Sequence, residues 1–209
     1  LPLFPLNTVL FPGENLPLQI FADRYKKMIR DISVEDHCFG VVLIREGKEA
    51  GDYATPYNVG TVAEVAGSAP IGQGRIYLVA EGLHRFRIEN LSYDEPYLVG
   101  RVTILDDLVD DTTVEVVQQA KEMVDLYSRA LMSLQGAWAR EVEGPDVAGD
   151  LADTLIAMLR IGRRTKQWFL EMDSLNERLE GCVSLVGQDL ERIQEEIKEQ
   201  GLTRRFGQN

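Results

Sequence analysis

Prolines at positions 2, 5, 12 and 17 interrupt an otherwise apolar opening, Leu1 to Phe21, and rule out a helix there. Each proline lacks a backbone donor and pushes the residue before it toward extended conformations. The run therefore predicts short strands broken by a turn at Phe11-Pro12-Gly13, with Leu16, Leu18 and Ile20 on one strand face. At Ala22-Asp23 the period changes. Tyr25, Met28, Ile29 and Ile32 recur three or four apart while Lys26, Lys27 and Arg30 face water, which predicts a short amphipathic helix.

The next eighty residues read as strands. His37–Arg45 is a short run rich in β-branched residues, and Glu46–Tyr57, with Gly47, Gly51 and Pro56, reads as a loop. Val59–Ala66 alternates, Gly67–Gly74 forms a turn, and Arg75–Ala80 pairs back as a hairpin. Gly82 interrupts the following run, His84–Ile88, and Tyr97–Leu105 is the last strand. Five or six short strands with one early helix suggest a small barrel, which leaves few exposed edges.

The acidic stretch Asp106–Thr112 reads as a linker, because helical spacing begins after it. Val114, Val117, Ala120, Val124, Tyr127, Leu131 and Leu134 mark one helix, and Gly144-Pro145 breaks the polar connection that follows. Leu151, Leu155, Met158 and Leu159 mark a second helix, and Thr165–Leu170 a short third. Ser174-x-x-Glu177 reads as a capping box for a fourth. Its stripe runs through Leu175, Leu179, Cys182, Val186, Ile193 and Ile197, with Gly201 placed to end it. The expected fold is α+β. A small β-barrel subdomain with one short helix (1–107) is followed by an antiparallel α-helical bundle (108–209), with Trp168-Phe169 in its core.

These segments carry a family resemblance. The opening PLFPL…VLFPG…LPLQIF…RY…M resembles the start of the Lon protease N-terminal domain family. Phe39–Ile44, Val59–Ala63 (VGTVA) and Arg75–Ile88 (RIYLVAEGLHRFRI) are similar to its strands. Leu151–Leu155 (LADTL) and Lys166-Gln167…Leu170-Glu171…Asn176–Leu179 are similar to its helices. The resemblance implies a PUA-like barrel and a helical bundle that engage unfolded or misfolded protein segments. It further implies a non-enzymatic, stand-alone protein associated with an ATP-dependent protease. In full-length Lon this region precedes an ATPase module and a Ser/Lys protease domain. No Gly-x-x-x-x-Gly-Lys-Ser/Thr phosphate loop occurs in this chain, and the family's catalytic serine motif is absent. With its last helix expected to end at Gly201, the chain reads as an independent protein.

Charge narrows the alternatives. Residues 1–107 carry 10 basic and 15 acidic side chains and residues 108–209 carry 12 and 19, giving a net charge of −12. Both halves are acidic, which argues against tracking phosphates. An RNA-binding PUA-like protein, using Arg85, Arg87 and Arg101 as a local basic face, is the alternative, with a scaffold subunit of a larger complex as another. Cys38 and Cys182 read as free thiols in a reducing, cytoplasmic setting. No apolar run approaches the roughly 20 residues that span a bilayer, and no signal peptide is evident. An organellar location after removal of a targeting segment stays open, since the first residue is not Met.

No catalytic residue, cofactor or metal is assigned. His37 and His84 lack ligand spacing and read as strand-end residues. Glu81 with His84 would need a pocket to act as an acid–base pair. Ser128 and Ser133 have no base placed for them, and Asp106-Asp107…Asp110-Asp111 lacks the glycine and distal glutamate of a calcium loop. The basic cluster Arg160, Arg163, Arg164 and Lys166 reads as complementing a helix C-terminus. Trp138 lies in a polar interhelical segment, as a cap packed on the bundle or as an exposed anchor. It is the one candidate peptide-binding residue.

Overall fold

The computed structural model describes residues 1–33, 37–49, 54–107 and 112–206, with the backbone alone for 200–206. Part of the expected acidic linker (108–111) and part of the Glu46–Tyr57 loop (50–53) lie outside the described residues. Strands β1 (Pro2–Leu6) and β2 (Asn15–Ile20) flank the proline turn, and α1 (Asp23–Ile32) follows. Then come β3 (Cys38–Glu46), β4 (Thr55–Pro56), β5 (Val59–Pro70), β6 (Ile76–Ser92) and β7 (Leu98–Ile104). The remaining elements are α2 (Val114–Leu134), α3 (Ala148–Met158), α4 (Arg163–Glu171) and α5 (Leu175–Phe206). The class is α+β, as expected.

Two compact units divide the chain. One takes Leu1–Asp106 with Ile161–Asp173; the other takes Asp107–Arg160 with Ser174–Asn209. In the strand-rich unit β1 pairs parallel with β3 and antiparallel with β7. The ladder β7–β6–β5–β3 then returns to β1, a closed circuit of pairings, while among the described residues β2 pairs with β6 alone. Alternation along the strands separates two cores. Leu3, Val42, Val62, Phe86 and Leu98 form one. Phe4, Leu6, Phe39, Val41, Leu78 and Ala80 form the other, with Tyr25, Met28, Ile29 and Ile32 of α1 packed on them. Each such buried Met or Ile side chain contributes about 1.5–3 kcal/mol, which anchors α1.

Strands β5 and β6 run further than their sequences suggest. β5 continues through Gly67 to Pro70, and the turn tightens to Ile71–Arg75, where Ile71 N–H donates to the Arg75 carbonyl at 3.0 Å. Gly82 does not break β6. A bulge at Leu83 of β6, opposite Val62 and Ala63 of β5, takes up the irregularity, and the Phe11-Pro12-Gly13 turn lies directly against Gly82. Gly82 N–H donates to Glu14 O at 2.9 Å and Gly13 N–H to Gly82 O at 2.8 Å. A Cβ at 82 would collide with the Phe11 carbonyl, so the glycine serves a close backbone approach. Thr61 Oγ1, buried, holds the same connection by donating to Leu10 O at 2.5 Å.

Helix α4 packs with the strands. Arg85, buried on β6, donates through Nη1 to the carbonyls of Leu170 (2.9 Å) and Met172 (2.7 Å), satisfying orphan acceptors at the end of α4. Buried Gln167 donates to Val59 O at 3.0 Å and to Glu171 Oε1 at 2.8 Å. Lys166 and Glu14 attract one another. Burial still holds the Lys166 ammonium below its ordinary range and the Glu14 carboxyl above its own. Trp168 therefore is not core: it is 58% exposed, while its neighbour Phe169 is buried.

In the helical unit, Ala120, Val124 and Tyr127 bury the α2 stripe, whereas Val114 at its start is exposed. Ser174 Oγ accepts from Glu177 N–H at 3.2 Å, as the capping signal requires. Leu175, Leu179, Cys182, Val186 and Ile193 are buried along α5. Helix α5 runs through Gly201 to Phe206, so that glycine does not end it. Arg178 is the unexpected member of this core. Its guanidinium is fully buried and donates to Asp107 at 2.5 Å and to Asp153. A second network joins Tyr127 to Asp189 (2.6 Å), and Arg160 to Asp189 (3.1 Å) and Glu196 (3.0 Å).

Candidate functional site

In the strand-rich unit a groove of 440 Å³ opens between β1 and β2, which do not pair with each other. Its floor is apolar: Phe4 and Leu6 from β1, Leu18 and Ile20 from β2, and Tyr25 from α1. The period-two pattern of β2 aims Leu18 and Ile20 the same way, and the α1 stripe places Tyr25 against Phe4, ring centroids 4.1 Å apart. Phe21, between β2 and α1, stands 64% exposed at the rim. Arg24 lies 4.8 Å from the Tyr25 ring centroid and donates to Glu49 O at 2.8 Å. Glu49 Oε1 accepts from Asn7 N–H at 2.5 Å, which ties the far wall to the end of β1. Burial, the largest influence, raises the Tyr25 phenol above its ordinary range.

Because β2 pairs only with β6 among the described residues, its other edge presents backbone groups beside this apolar floor. Pro17 removes one donor from that edge strand. A floor of aliphatic and aromatic side chains beside a strand edge accepts an extended apolar peptide: main-chain groups pair with the edge and side chains fill the groove. Among the described residues of its lining none forms a nucleophile–base pair.

Trp138 stands in the helical unit, 84% exposed. Its outward position follows from the end of α2. Gly136 adopts φ 76°, Ala137 N–H donates to Met132 O at 2.9 Å and Gly136 N–H to Ser133 O at 3.1 Å. This is a Schellman ending, which turns the chain away from the helix. The packed-cap reading of Trp138 is thereby corrected.

The other candidates disperse. His37, with φ 55°, precedes β3 and is exposed, but His84 lies within β6 rather than at a strand end. Among the described residues no group of three or more His, Cys, Asp or Glu is arranged to hold a metal ion. Ser128 Oγ faces Met158 Sδ at 3.9 Å, and Ser133 is exposed. Asp107, from the acidic linker, is engaged by Arg178, whereas Asp110 and Asp111 lie outside the described residues. Neither cysteine forms a disulfide among the described residues, and burial pushes the Cys182 thiol up to about 12.

No basic face forms from Arg85, Arg87 and Arg101, since Arg85 is buried against α4 and Arg87 is shared with Asp173. Arg163, Arg164 and Lys166 occupy the first turn of α4, the opposite of the helix end where cations are favoured. Among described helices none is long and apolar enough to cross a membrane.

Two features escaped the sequence reading. The groove joins residues about twenty positions apart, and its signal was the exposed Phe21 directly after an alternating run. Arg178 and Asp189 sit three or four residues from the apolar stripe positions of α5, and a charge inside such a stripe signals a buried pair.

A family model described as the ATP-dependent protease La (LON) substrate-binding domain matches residues 1–188. Lon protease of Anaeromyxobacter dehalogenans is 32% identical over 200 residues, covering 91% of this chain and 23% of that protein. Lon protease 2 of Myxococcus xanthus is likewise 32% identical, covering 91% and 24%. The chain thus spans about a quarter of the length of these curated relatives. A crystal structure of a Lon N-terminal domain protein from Xanthomonas campestris superposes with a TM-score of 0.68 at 27% identity, covering 88% of this chain and 96% of that one. The N-terminal domain of a Mycobacterium avium complex Lon protease shares the fold, with a TM-score of 0.60 at 16% identity, covering 89% and 97%.

Proposed function

Since the chain belongs to the Lon substrate-binding domain family, we propose that it recognises unfolded or misfolded protein segments and performs no chemistry of its own. The observation that carries this reading is the apolar groove beside the open edge of β2, with Phe21 at its rim. Unfolded clients expose aliphatic and aromatic side chains on an extended backbone, and the groove offers surfaces for both. Ordering a flexible client opposes binding, so affinities near about 1 μM, roughly −8 kcal/mol, are expected. Trp138 serves as a second, independent apolar anchor. The captured client passes to a separate ATP-dependent protease in the cytoplasm.

The test compares one client protein, held unfolded by reduction and alkylation, with the same client folded. The unfolded form binds more tightly, and Phe21→Ser weakens that binding roughly tenfold without lowering stability. Equal binding of both forms, or an unaffected Phe21→Ser variant, overturns the reading.

A further inference from the structure

A second cleft of the strand-rich unit, 360 Å³ in volume, is lined by Arg45, Tyr57, Asn58, Val59, Arg87 and Glu171. Two arginines in one cleft stand out in a chain of net charge −12. The Arg45 guanidinium approaches an acid only at 3.9 Å, Nε to Glu46, and makes no hydrogen bond among the described residues. Among the described residues Arg87 engages only through Nη2, shared between the two oxygens of Asp173 at 3.3 Å each. Most of the ten donors of these two guanidiniums face water rather than a protein acceptor among the described residues.

The walls are fixed in advance. Tyr57 N–H donates to Leu43 O at 2.9 Å, and Ile88 N–H donates to Asn58 O at 2.7 Å. Gln167 holds both Val59 O and Glu171 Oε1. A rigid cleft spends little binding energy on ordering.

We propose that this cleft binds a peptide carboxylate, with Arg45 and Arg87 donating to its oxygens. A guanidinium fork matches the two oxygens of a carboxylate. In the empty cleft Asp173 holds Arg87, and an arriving carboxylate displaces it. Glu46 stands beside Arg45, Asp173 beside Arg87, and Glu171 lines the same cleft, so a polyanion such as a nucleic acid meets repulsion, while one carboxylate enters in exchange for Asp173 without adding charge at Arg87. The carboxylate comes from a chain end or from an acidic side chain. This site lies beyond the apolar-groove reading and stands without it.

Calorimetric titration with unlabelled, acetylated alanine-rich peptides tests the proposal. Three forms are compared: a free C-terminus, a C-terminal amide, and an amide carrying one internal glutamate. At least one carboxylate form binds roughly tenfold tighter than the plain amide. Recovery by the glutamate peptide identifies a side chain as the source, and its failure identifies the chain end. Arg45→Ala removes the preference, and Asp173→Asn strengthens carboxylate binding by releasing Arg87, a gain that a merely structural role for Asp173 does not produce. Far-UV circular dichroism verifies that these exposed-site variants fold. Equal or absent binding of all three peptides overturns the proposal, as does a preference that survives Arg45→Ala combined with Arg87→Ala.

Discussion

Arg178→Met is the sharpest test of how the helical unit is held. The native guanidinium is 0% exposed and bridges Asp107 and Asp153. Methionine fills similar apolar volume but leaves the Asp153 carboxylate, 7% exposed, without its cation. Removing one partner of a buried ion pair costs about 3–5 kcal/mol. Asp107 is partly exposed and regains water, which places this variant in the lower half of that range. A domain stable by roughly 5–15 kcal/mol loses a large fraction of its margin. Urea unfolding followed by far-UV circular dichroism reads the loss in the helices directly. Adding Asp153→Leu removes the stranded charge, so the double variant recovers most of the loss, because an apolar replacement of a buried pair is often neutral. The reasoning fails if Arg178→Met costs less than about 1 kcal/mol, or if the double variant is no more stable than the single one.

Gly82→Ala drives a methyl into the Phe11 carbonyl and strains two backbone hydrogen bonds. It lowers stability by about 1–3 kcal/mol, and an unchanged urea midpoint would contradict the close approach. Burial raises the Glu14 carboxyl above its ordinary 4.5, although the Phe11 N–H and Lys166 act against that shift. The folded chain therefore holds this proton more tightly than the unfolded chain, so stability is lost as pH rises from the ordinary value through the raised one. Glu14→Gln removes that loss: its midpoint relative to the native chain rises as pH climbs above the ordinary carboxylate range, and a constant difference refutes the assignment. Tyr127→Phe deletes the buried bond to Asp189 and costs about 1–3 kcal/mol. Burial and Asp189 push the Tyr127 phenol up to about 12, so ultraviolet alkaline titration loses one late-titrating tyrosine in this variant.

Local pattern was the legible part. The α1 stripe of Tyr25, Met28, Ile29 and Ile32 is buried as its spacing predicts, because one amphipathic turn after another needs only a surface to pack on. The proline turn and the alternating strands were readable for the same reason. What escaped depends on partners distant in the chain. Gly82 looks like a strand breaker until the Phe11 turn is laid against it. Trp168 reads as core in a bundle of consecutive helices, but side-chain bonds from Arg85 and Gln167 draw α4 to the strands, and no periodicity encodes those. The groove was half legible: Leu18 and Ile20 share a face by alternation, whereas their meeting with Phe4 and Tyr25 depends on which strands remain unpaired.

The position of α4 also bears on how the chain is made. A ribosome delivers all seven strands before Leu170 and Met172 exist, yet those residues carry the carbonyls that receive Arg85, 85 and 87 positions upstream. Until they emerge, Arg85 lacks both of these carbonyl acceptors. The strand-rich unit is therefore completed late, after most of the intervening helical segment has been synthesised, and its last stitch comes from downstream of α3.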